Sequence, residues 1–261
     1  MNTLTPSPTE RYTPGYTPTS AAYMAERDVD SHGFFLTPLL ESGMNLLDAG
    51  CGPGSITMGI AEQLFPGTVT ALDISAEQLD HARRIAEGRE IVNIRFACAS
   101  AQNTPFEDAS FDGVFSHALL EHLSEPIAAL TEFRRLIRPG GFVAVCSPDW
   151  DLCTFAPYPR EVEHAIRAYR DLQEDNGGNT RAGGHLGEWM QEAGLEAVST
   201  GEWIEEHGDA RRIAGYLARQ LDDAGLPRHA DTLRKWAQDP GATFLQCWKF
   251  AIGRRAAGDQ S

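Results

Sequence analysis

The residues with the clearest chemical meaning form a short glycine-rich loop after an apolar run. The loop reads Asp48-Ala49-Gly50-Cys51-Gly52-Pro53-Gly54. Gly50 and Gly52 permit a tight turn and let a ligand approach the backbone closely. A helix that begins after such a loop directs its first amide groups at the ligand. In open α/β sheets, ligands bind at this edge, beyond the carboxyl ends of the strands. The loop therefore predicts a nucleotide-like ligand.

Three features narrow the choice of ligand. A dinucleotide fingerprint needs Gly-x-Gly-x-x-Gly, but Ser55 occupies its last position, and the Gly-Lys-Ser/Thr of a Walker loop is absent. Asp48 precedes the first glycine by two residues, and a carboxylate there suits a cation better than a pyrophosphate. Asp73 ends the next apolar run, where its oxygens can accept hydrogen bonds from both ribose hydroxyls. We expect Ile74 to lie against the adenine. These features favour S-adenosylmethionine, which carries a sulfonium and an ammonium.

Apolar strands and amphipathic helices alternate through the segment that carries these residues. Strands are predicted at 44–50, 68–74, 91–99, 111–118 and 141–147, with helices between them from Pro53, from the capping residue Ser75 and after Ser124. Apolar strands that alternate with helices predict a parallel sheet covered on both faces. Beyond residue 147 we expect helices at 161–175, 185–194, 209–224 and 228–238, and strands at 194–204 and 242–255.

The domain organisation follows from the same pattern. Residues 1–40 are predicted to be an N-terminal arm, irregular over its Pro-rich first 20 residues, and a helix from about Ser20 to Leu40 broken near Gly33 and Pro38. This part would cover the cofactor. Residues 41–261 would form the catalytic domain. The segments 148–180 and 206–240 look like insertions at the ligand-binding edge, and we expect them to form a lid.

Four blocks resemble, in order, the class I S-adenosylmethionine-dependent methyltransferases related to ubiquinone and menaquinone biosynthesis. They are LLDAGCGPG (46–54), ALDIS (71–75), AQNTPFEDASFDGVF (101–115) and LIRPGGFVAV (136–145). Together they cover about residues 44–147. The resemblance implies a Rossmann-like, doubly wound sheet of seven strands, mostly parallel, with the last strand antiparallel. It also implies S-adenosyl-L-methionine as the cofactor and S-adenosyl-L-homocysteine as its product.

The resemblance further implies which residues contact the cofactor: Gly50 with Ser116 or His117 at the methionine moiety, and Ala101 with Gln102 at the adenine. Ser100 stands where the family usually has Asp, so its hydrogen bond to the adenine would carry no charge. The N-terminal segment of family members often closes over the cofactor. Tyr16, and less directly Tyr12, would then reach the cofactor carboxylate, unless both tyrosines only pack on the core surface.

Methyl transfer is an in-line displacement at an activated sulfonium, so alignment is the main task. Proximity and orientation can contribute about 7–11 kcal/mol. A base is needed only when the acceptor must lose a proton. His117 is the best candidate, since it follows the fourth strand and His accepts a proton near neutral pH. The alternative is a structural residue that lines the cofactor site. Glu121 and His122 fit a structural role better, and no metal site is evident.

The acceptor pocket is expected just after the fifth strand. Asp149, Trp150, Phe155 and Tyr158 lie there, and aromatic walls suit a planar or apolar acceptor. The alternative is that they anchor the insertion to the core. The expected reaction is methylation of O, N or C in a small molecule. The competing functions are an NAD(P)-dependent oxidoreductase and a non-methylating S-adenosylmethionine-binding protein or cyclase.

Composition excludes several classes of partner. The net charge of −15 is unfavourable for a nucleic-acid surface or an anionic membrane. No apolar run approaches the length of a membrane helix, and the N-terminus lacks the pattern of a secretory signal. The five cysteines lack any C-x-x-C pair, which favours reduced thiols and a cytoplasmic protein.

Overall fold

A mixed sheet of eight strands forms the centre of the protein. The computed structural model describes residues 12–15 and 18–259. The strands are β1 (Asn45–Ala49), β2 (Thr68–Asp73), β3 (Ile94–Cys98), β4 (Phe111–His117), β5 (Ile137–Pro148), β6 (Thr154–Ala156), β7 (Glu196–His207) and β8 (Thr243–Arg254). Their order is β3-β2-β1-β4-β5-β8, and both β6 and β7 also pair with β8.

The first five strands are parallel, and β8 runs against its neighbours. The predicted doubly wound sheet with an antiparallel last strand is therefore confirmed. The eighth strand, β6, was not predicted. Leu245 of β8 pairs with Thr154 of β6 on one edge and with Glu206 of β7 on the other. Strands β5 and β6 pair with the same edge of β8. In the sheet, β6 therefore follows on from the end of β5 after a short interruption.

Both faces of the sheet are apolar and covered by helices. Successive strand residues point to opposite faces, so Leu46 and Leu47 of β1 enter different cores. The core that contains Leu47 includes helices α5 (Pro126–Leu136) and α7 (Ala182–Glu192). The core that contains Leu46 includes α2 (Val29–His32) and α3 (Ser55–Leu64), with α4 (Ala76–Gly88) packed beside α3.

Two predicted helix boundaries need correction. The N-terminal helix expected between Ser20 and Leu40 is three short pieces: α1 (Pro18–Met24), α2 and a 3₁₀ turn at Thr37–Leu39. The helix after the glycine loop begins at Ser55, since Pro53 lies in the turn before it. The predicted cap of α4 is confirmed, because the Ser75 hydroxyl accepts a hydrogen bond from the Gln78 amide at 3.3 Å.

The two segments predicted as insertions pack against each other. Helix α6 (Arg160–Asp175) comes from the first, and α8 (Ala210–Asp223) and α9 (Pro227–Trp236) come from the second. In α8 the apolar residues Ile213, Leu217 and Leu221 recur every fourth residue, so one face of the helix is buried. The three helices share one apolar core, and they are called the helical cap here.

The N-terminal segment is tied to both halves of the molecule. The Ser55 hydroxyl donates a hydrogen bond to the Met24 carbonyl at 3.3 Å, which joins the end of α1 to the start of α3. Glu26 forms an ion pair with Arg212 of α8. The chain between α1 and α2 is therefore held between the glycine loop and the helical cap.

Candidate active site

A cavity of about 480 Å³ lies at the carboxyl ends of β1, β2 and β4. Its volume falls within the roughly 300–1,000 Å³ that is usual for small-molecule sites. The structure brings most of the predicted cofactor residues into its wall: Asp48, Gly50, Gly52, Asp73, Ile74, Ser100, Ala101, Gln102 and His117. Strand ends and the turns after them supply all of these side chains, as the parallel sheet requires.

The glycine loop contains three left-handed residues, Gly50, Gly52 and Gly54. Gly50 has φ +75° and Gly52 has φ +52°, a region in which side chains are strained. A Cβ on Gly50 would lie 3.1 Å from the Leu119 side chain, whereas one on Gly52 would meet open space. The Gly52 amide donates to Asp73 Oδ2 at 2.9 Å. The loop is thus fastened to the end of β2, with open space above Gly52.

The end of β2 presents a carboxylate beside an exposed apolar side chain. Asp73 Oδ1 also accepts from the Ser75 amide at 2.8 Å. Burial raises the pKa of Asp73, and hydrogen bonds from the amides of Ser75, Gly52 and Ile74 oppose this rise. A carboxylate has about four acceptor positions, so acceptor capacity remains for a ligand. Ile74, although apolar, is 49% exposed. The pair suits a ligand with vicinal hydroxyls next to a flat apolar ring.

Asp48 lies deeper and is almost fully buried, with 3% of its surface exposed. The Thr57 hydroxyl donates to its Oδ2 at 2.5 Å. Burial is the largest influence and raises the pKa of Asp48 to about 7. Near neutral pH this carboxyl is therefore divided between its acidic and ionised forms. A bound cation would favour the ionised form.

The opposite end of the cavity offers neutral polar groups. Ser100 Oγ accepts a hydrogen bond from the Gln102 amide at 3.2 Å, which leaves its own hydrogen for another acceptor. The Gln102 side chain donates to the Glu125 carbonyl at 3.2 Å, so its amide group is already engaged within the protein. Ser100 is thus better placed than the Gln102 side chain to meet a ligand here.

His117 closes the cavity at the end of β4. Its ring packs against the Trp248 ring at 4.7 Å and meets the His32 ring edge-on at 5.3 Å. Neither ring nitrogen has a hydrogen-bond partner within the described ranges 12–15 and 18–259. Burial, followed by the charge of Arg27, holds the pKa of His117 well below its usual range. The next residue, Ala118, has φ +55°, a strain of the kind that clusters at functional sites. His117 is therefore a neutral, unsatisfied group.

A second cavity of about 40 Å³ adjoins the first. The two share wall residues Tyr12, Met24, Arg27, Ala118 and His122. Aromatic side chains from four elements and the N-terminal segment dominate the smaller one, and we call it the aromatic chamber: Tyr23, Trp150, Tyr169, Tyr216 and Trp248. Burial raises the pKa of Tyr216 to about 12, so its hydroxyl stays protonated.

The aromatic chamber also holds a buried acid. Glu121 is 3% exposed, and the Ser147 hydroxyl donates to its Oε2 at 2.7 Å. Its Oε1 lies 3.8 Å from Nε2 of His122. Burial raises the pKa of Glu121 to about 7, against the effect of the Ser147 bond. Glu121 therefore titrates near neutral pH at the wall of this chamber.

Several predicted residues lie elsewhere. Ser116 is buried, and its hydroxyl donates to the Ala49 carbonyl at 2.8 Å, away from the cavity wall. Of the four residues predicted for the acceptor pocket, Trp150 reaches the aromatic chamber. Phe155 stacks on Phe244 at 4.5 Å within the helical cap, and Tyr158 is half-exposed. These two positions agree with the anchoring alternative.

Three predicted residues remain: the acceptor candidate Asp149 and the N-terminal tyrosines Tyr12 and Tyr16. Asp149 caps the turn after β5 and pairs with Lys249 at 3.4 Å, outside both cavities. Tyr16 lies outside the described residues. Tyr12 is within them and lines both cavities, where its hydroxyl donates to the Met24 sulfur at 3.4 Å and its ring meets His122 edge-on.

Arg27 is the main residue that sequence reasoning missed. It lies between α1 and α2 and lines both cavities. Its surroundings in the chain, Ala-Glu-Arg-Asp, resemble an exposed polar turn, so the sequence carries no signal for this position. Arg27 reaches the site because the segment between α1 and α2 packs beside the glycine loop.

Among the described residues, no group of three or more His, Cys, Asp or Glu side chains is placed to hold a metal ion. No helix within residues 12–15 and 18–259 is long and apolar enough to cross a membrane.

Several known proteins are similar to this chain in sequence or in fold. The family model described as a methyltransferase domain matches residues 47–145. An uncharacterized methyltransferase, C1B3.06c, of Schizosaccharomyces pombe is 33% identical over 253 residues, covering 86% of this chain and 90% of that protein. The "probable methyltransferase ltbC" of Aspergillus luteorubrus is 32% identical, covering 92% of this chain and 98% of its own.

A relative that matches over a shorter stretch and a solved structure are also similar to this chain. The O-methyltransferase cnsE of Penicillium expansum is 32% identical over 161 residues, which are 59% of this chain and 57% of that one. The crystal structure of the YcgJ protein from Bacillus subtilis has a TM-score of 0.62 at 18% identity, covering 85% of this chain and 97% of that one. At that identity the structural likeness concerns the fold.

Proposed function

Because this chain belongs to the class I S-adenosylmethionine-dependent methyltransferases, in the group related to menaquinone-biosynthesis methyltransferases, we propose that it methylates an oxygen atom of a small organic acceptor. Membership of this family excludes the dinucleotide-dependent oxidoreductase considered from the sequence. The observation that carries the proposal is the pair of adjoining cavities, which share a wall at Ala118 and His122. One has the residues for a nucleoside, and the other has aromatic walls.

The larger cavity fits the cofactor residue by residue. Asp73 would accept the ribose hydroxyls, Ile74 and Ala101 would flank the adenine, and Ser100 would donate to it. Gly50 and Gly52 would leave room for the backbone to approach the methionine moiety. Asp48 would favour the cationic end. When bound, S-adenosylmethionine supplies a methyl group on a sulfonium that is already activated for displacement.

The aromatic chamber supports the choice of a small, planar acceptor. The chamber alone, at about 40 Å³, is smaller than the roughly 150 Å³ of a cavity that binds benzene, so the acceptor ring would lie across the junction with the larger cavity, beside these aromatic side chains. Fixed orientation can contribute about 7–11 kcal/mol to such a transfer. The helical cap and the N-terminal segment both contribute side chains to the chamber. The similarity to an O-methyltransferase supports oxygen as the acceptor atom.

His117 would accept the proton of the acceptor hydroxyl. Its two ring nitrogens have no partner among the described residues, and its buried ring is neutral, so it can accept a hydrogen bond at once. The His117 ring would take the proton of the hydroxyl as its oxygen attacks the methyl group, and the sulfonium sulfur would keep the electron pair of its bond to that methyl. The proton then passes from the imidazolium to solvent.

Glu121 is the competing proton acceptor, and pH distinguishes the two. A base with a pKa of about 7 would make kcat rise through neutral pH. His117, whose pKa lies well below its usual range, would give a kcat that is independent of pH between 6.5 and 8.5. We therefore expect a flat profile in the wild type and in Glu121→Gln.

Transfer of a labelled methyl group tests the proposal. The protein is incubated with methyl-labelled S-adenosylmethionine and a panel of phenols, alcohols, carboxylic acids, amines and activated carbon acids. Label should appear on oxygen, with one S-adenosylhomocysteine formed per methyl transferred, and Asp73→Ala should slow the reaction. Label found only on nitrogen or carbon would overturn the choice of oxygen. Tight cofactor binding without transfer to any acceptor would favour a non-methylating protein.

A further inference from the structure

Arg27 is a cation at the junction of the two cavities. It is half-buried, and its backbone amide donates to the Met24 carbonyl at 3.2 Å, which holds the turn between α1 and α2. The guanidinium carbon lies 5.1 Å from the centroid of the Trp248 ring. Trp248 is fully buried and lines the aromatic chamber. The guanidinium therefore stacks on a wall of that chamber.

No carboxylate of residues 12–15 or 18–259 forms an ion pair with Arg27. The acids around it are engaged elsewhere. Glu205 lies 3.4 Å from His32 and accepts from the Trp248 indole at 2.8 Å. Glu121 accepts from Ser147, and the neighbouring Glu26 pairs with Arg212. In a chain with a net charge of −15, a half-buried arginine without a carboxylate is unusual, because buried charges are normally paired.

The charge of Arg27 acts on the chamber side of the junction. Burial is the larger cause of the lowered pKa of His117 and His122, and Arg27 lowers both further. Burial raises the pKa of Tyr23 and Tyr216, and Arg27 opposes both shifts. The pKa shifts of Asp48 and Asp73, the acids expected to meet the cofactor, have other causes. The charge of Arg27 therefore acts on the aromatic chamber and on the end of the larger cavity next to it.

We propose that the acceptor is a planar aromatic acid that lies across the junction of the two cavities, with its carboxylate paired with Arg27. The guanidinium presents five N–H donors in a plane, and a carboxylate matches two of them at once. Stacking on Trp248 fixes the orientation of that plane. The aromatic walls take the ring, so the acidic group and the ring are recognised by different residues. This proposal rests on the proposed function, since it names the class of its acceptor.

Binding of matched probes tests the proposal without any need for turnover. Protein loaded with S-adenosylhomocysteine is titrated by calorimetry at pH 7.5 with benzoate, 4-hydroxybenzoate and cinnamate, each beside its neutral amide. We expect at least one acid to bind at least fivefold tighter than its amide. Arg27→Gln should reduce that ratio below twofold, and Arg27→Lys should restore part of it. Arg84→Gln on the exposed face of α4 makes the same change of charge and should leave the ratio unaltered.

A second pair of ligands separates the acceptor from the cofactor carboxylate. S-adenosylhomocysteine carries a carboxylate, and 5′-methylthioadenosine does not. We expect Arg27→Gln to change the affinity for the two by less than threefold. A tenfold loss for S-adenosylhomocysteine alone would assign Arg27 to the cofactor and overturn the proposal.

Other outcomes of these titrations would overturn either this proposal or the proposed function. A ratio below fivefold for every acid and amide in the wild type would also overturn the acidic acceptor. If S-adenosylhomocysteine binds and methyl transfer occurs without a preference for acids, this proposal fails alone. If S-adenosylhomocysteine does not bind, the proposed function itself fails.

Discussion

The two cavities differ in where their walls come from. The larger one is built mostly from a single stretch of chain, from Asp48 to Glu125, in which each contributing turn follows a strand of the parallel sheet. Apart from the turn after β4, the walls of the aromatic chamber come from distant segments: the N-terminal segment, the turn after β5, α6, α8 and β8. The first is a property of the sheet, whereas the second exists only when the helical cap and the N-terminal segment have packed.

This difference separates cofactor binding from acceptor recognition. Changes in the larger cavity should alter affinity for S-adenosylhomocysteine, and changes at the chamber should alter turnover or the choice of acceptor. His117, which lines the larger cavity and packs against Trp248 of the chamber, should affect turnover most. Each prediction below tests this separation.

The largest expected effect is that of His117→Ala on turnover. Loss of a positioned proton acceptor typically lowers kcat by about 100-fold or more. The affinity for S-adenosylhomocysteine should change by less than about threefold, because His117 would bond to the acceptor hydroxyl rather than to the cofactor. Steady-state kinetics and calorimetry measure the two effects. His122→Ala is the matched control, and a loss of kcat there that equals the loss in His117→Ala would move the proton acceptor to the Glu121–His122 pair.

Gly50→Ala should cause the largest loss of cofactor affinity. The methyl group would occupy a left-handed backbone position 3.1 Å from Leu119, so the loop must shift. We expect S-adenosylhomocysteine to bind about fiftyfold more weakly, from strain of about 1–2 kcal/mol together with the contact. The control is Gly215→Ala in α8, where a Cβ meets open space and helix propensity favours Ala. Equal affinity in the Gly50 variant and the wild type would contradict the role of the loop.

Asp73→Ala should weaken S-adenosylhomocysteine by at least about tenfold. Hydrogen bonds to a charged group contribute about 1.5–3 kcal/mol each, and the ribose would lose two of them. Calorimetric titration measures the change, with Asp80→Ala on the exposed surface of α4 as the control. Unchanged affinity in the Asp73 variant would show that this carboxylate does not bind the ribose.

The smallest effect is the pH dependence of cofactor affinity. Asp48 has a pKa of about 7 in the free protein, and a cationic ligand favours its ionised form. Binding of S-adenosylmethionine therefore displaces the proton from Asp48, and affinity should rise by about fivefold between pH 6 and pH 8 and then level off. Asp48→Asn should remove this rise. A rise that persists in the variant would assign it to another group.

The two cavities also differ in how much of them could be predicted from the sequence. The strands and helices between residues 44 and 147 were predicted because local apolar patterns and turn residues determine them, and Asp73 was predicted because it ends such a strand. The chamber had no local signal. Tyr23, Tyr169 and Tyr216 lie on amphipathic segments, where an aromatic residue facing a cavity looks the same as one facing a core.

The segment after β5 shows why the acceptor residues were harder to predict. Trp150 follows β5 closely and turns towards the chamber, while the short strand β6 carries Phe155 along β8 into the core of the helical cap. Four neighbouring residues that looked equivalent in the sequence thus have different surroundings. Arg27 was missed for a different reason. Its neighbours in the chain are polar and resemble a solvated turn, and it reaches the site only when the N-terminal segment packs.

A crystal structure of the S-adenosylhomocysteine complex tests the division between the two cavities most directly. The account predicts that the Asp73 carboxylate accepts hydrogen bonds from both ribose hydroxyls, and that the sulfur faces the shared wall at Ala118 and His122. The aromatic chamber should remain free of the cofactor. An adenosine found among Trp150, Tyr169 and Tyr216, or a sulfur directed away from that chamber, would contradict it.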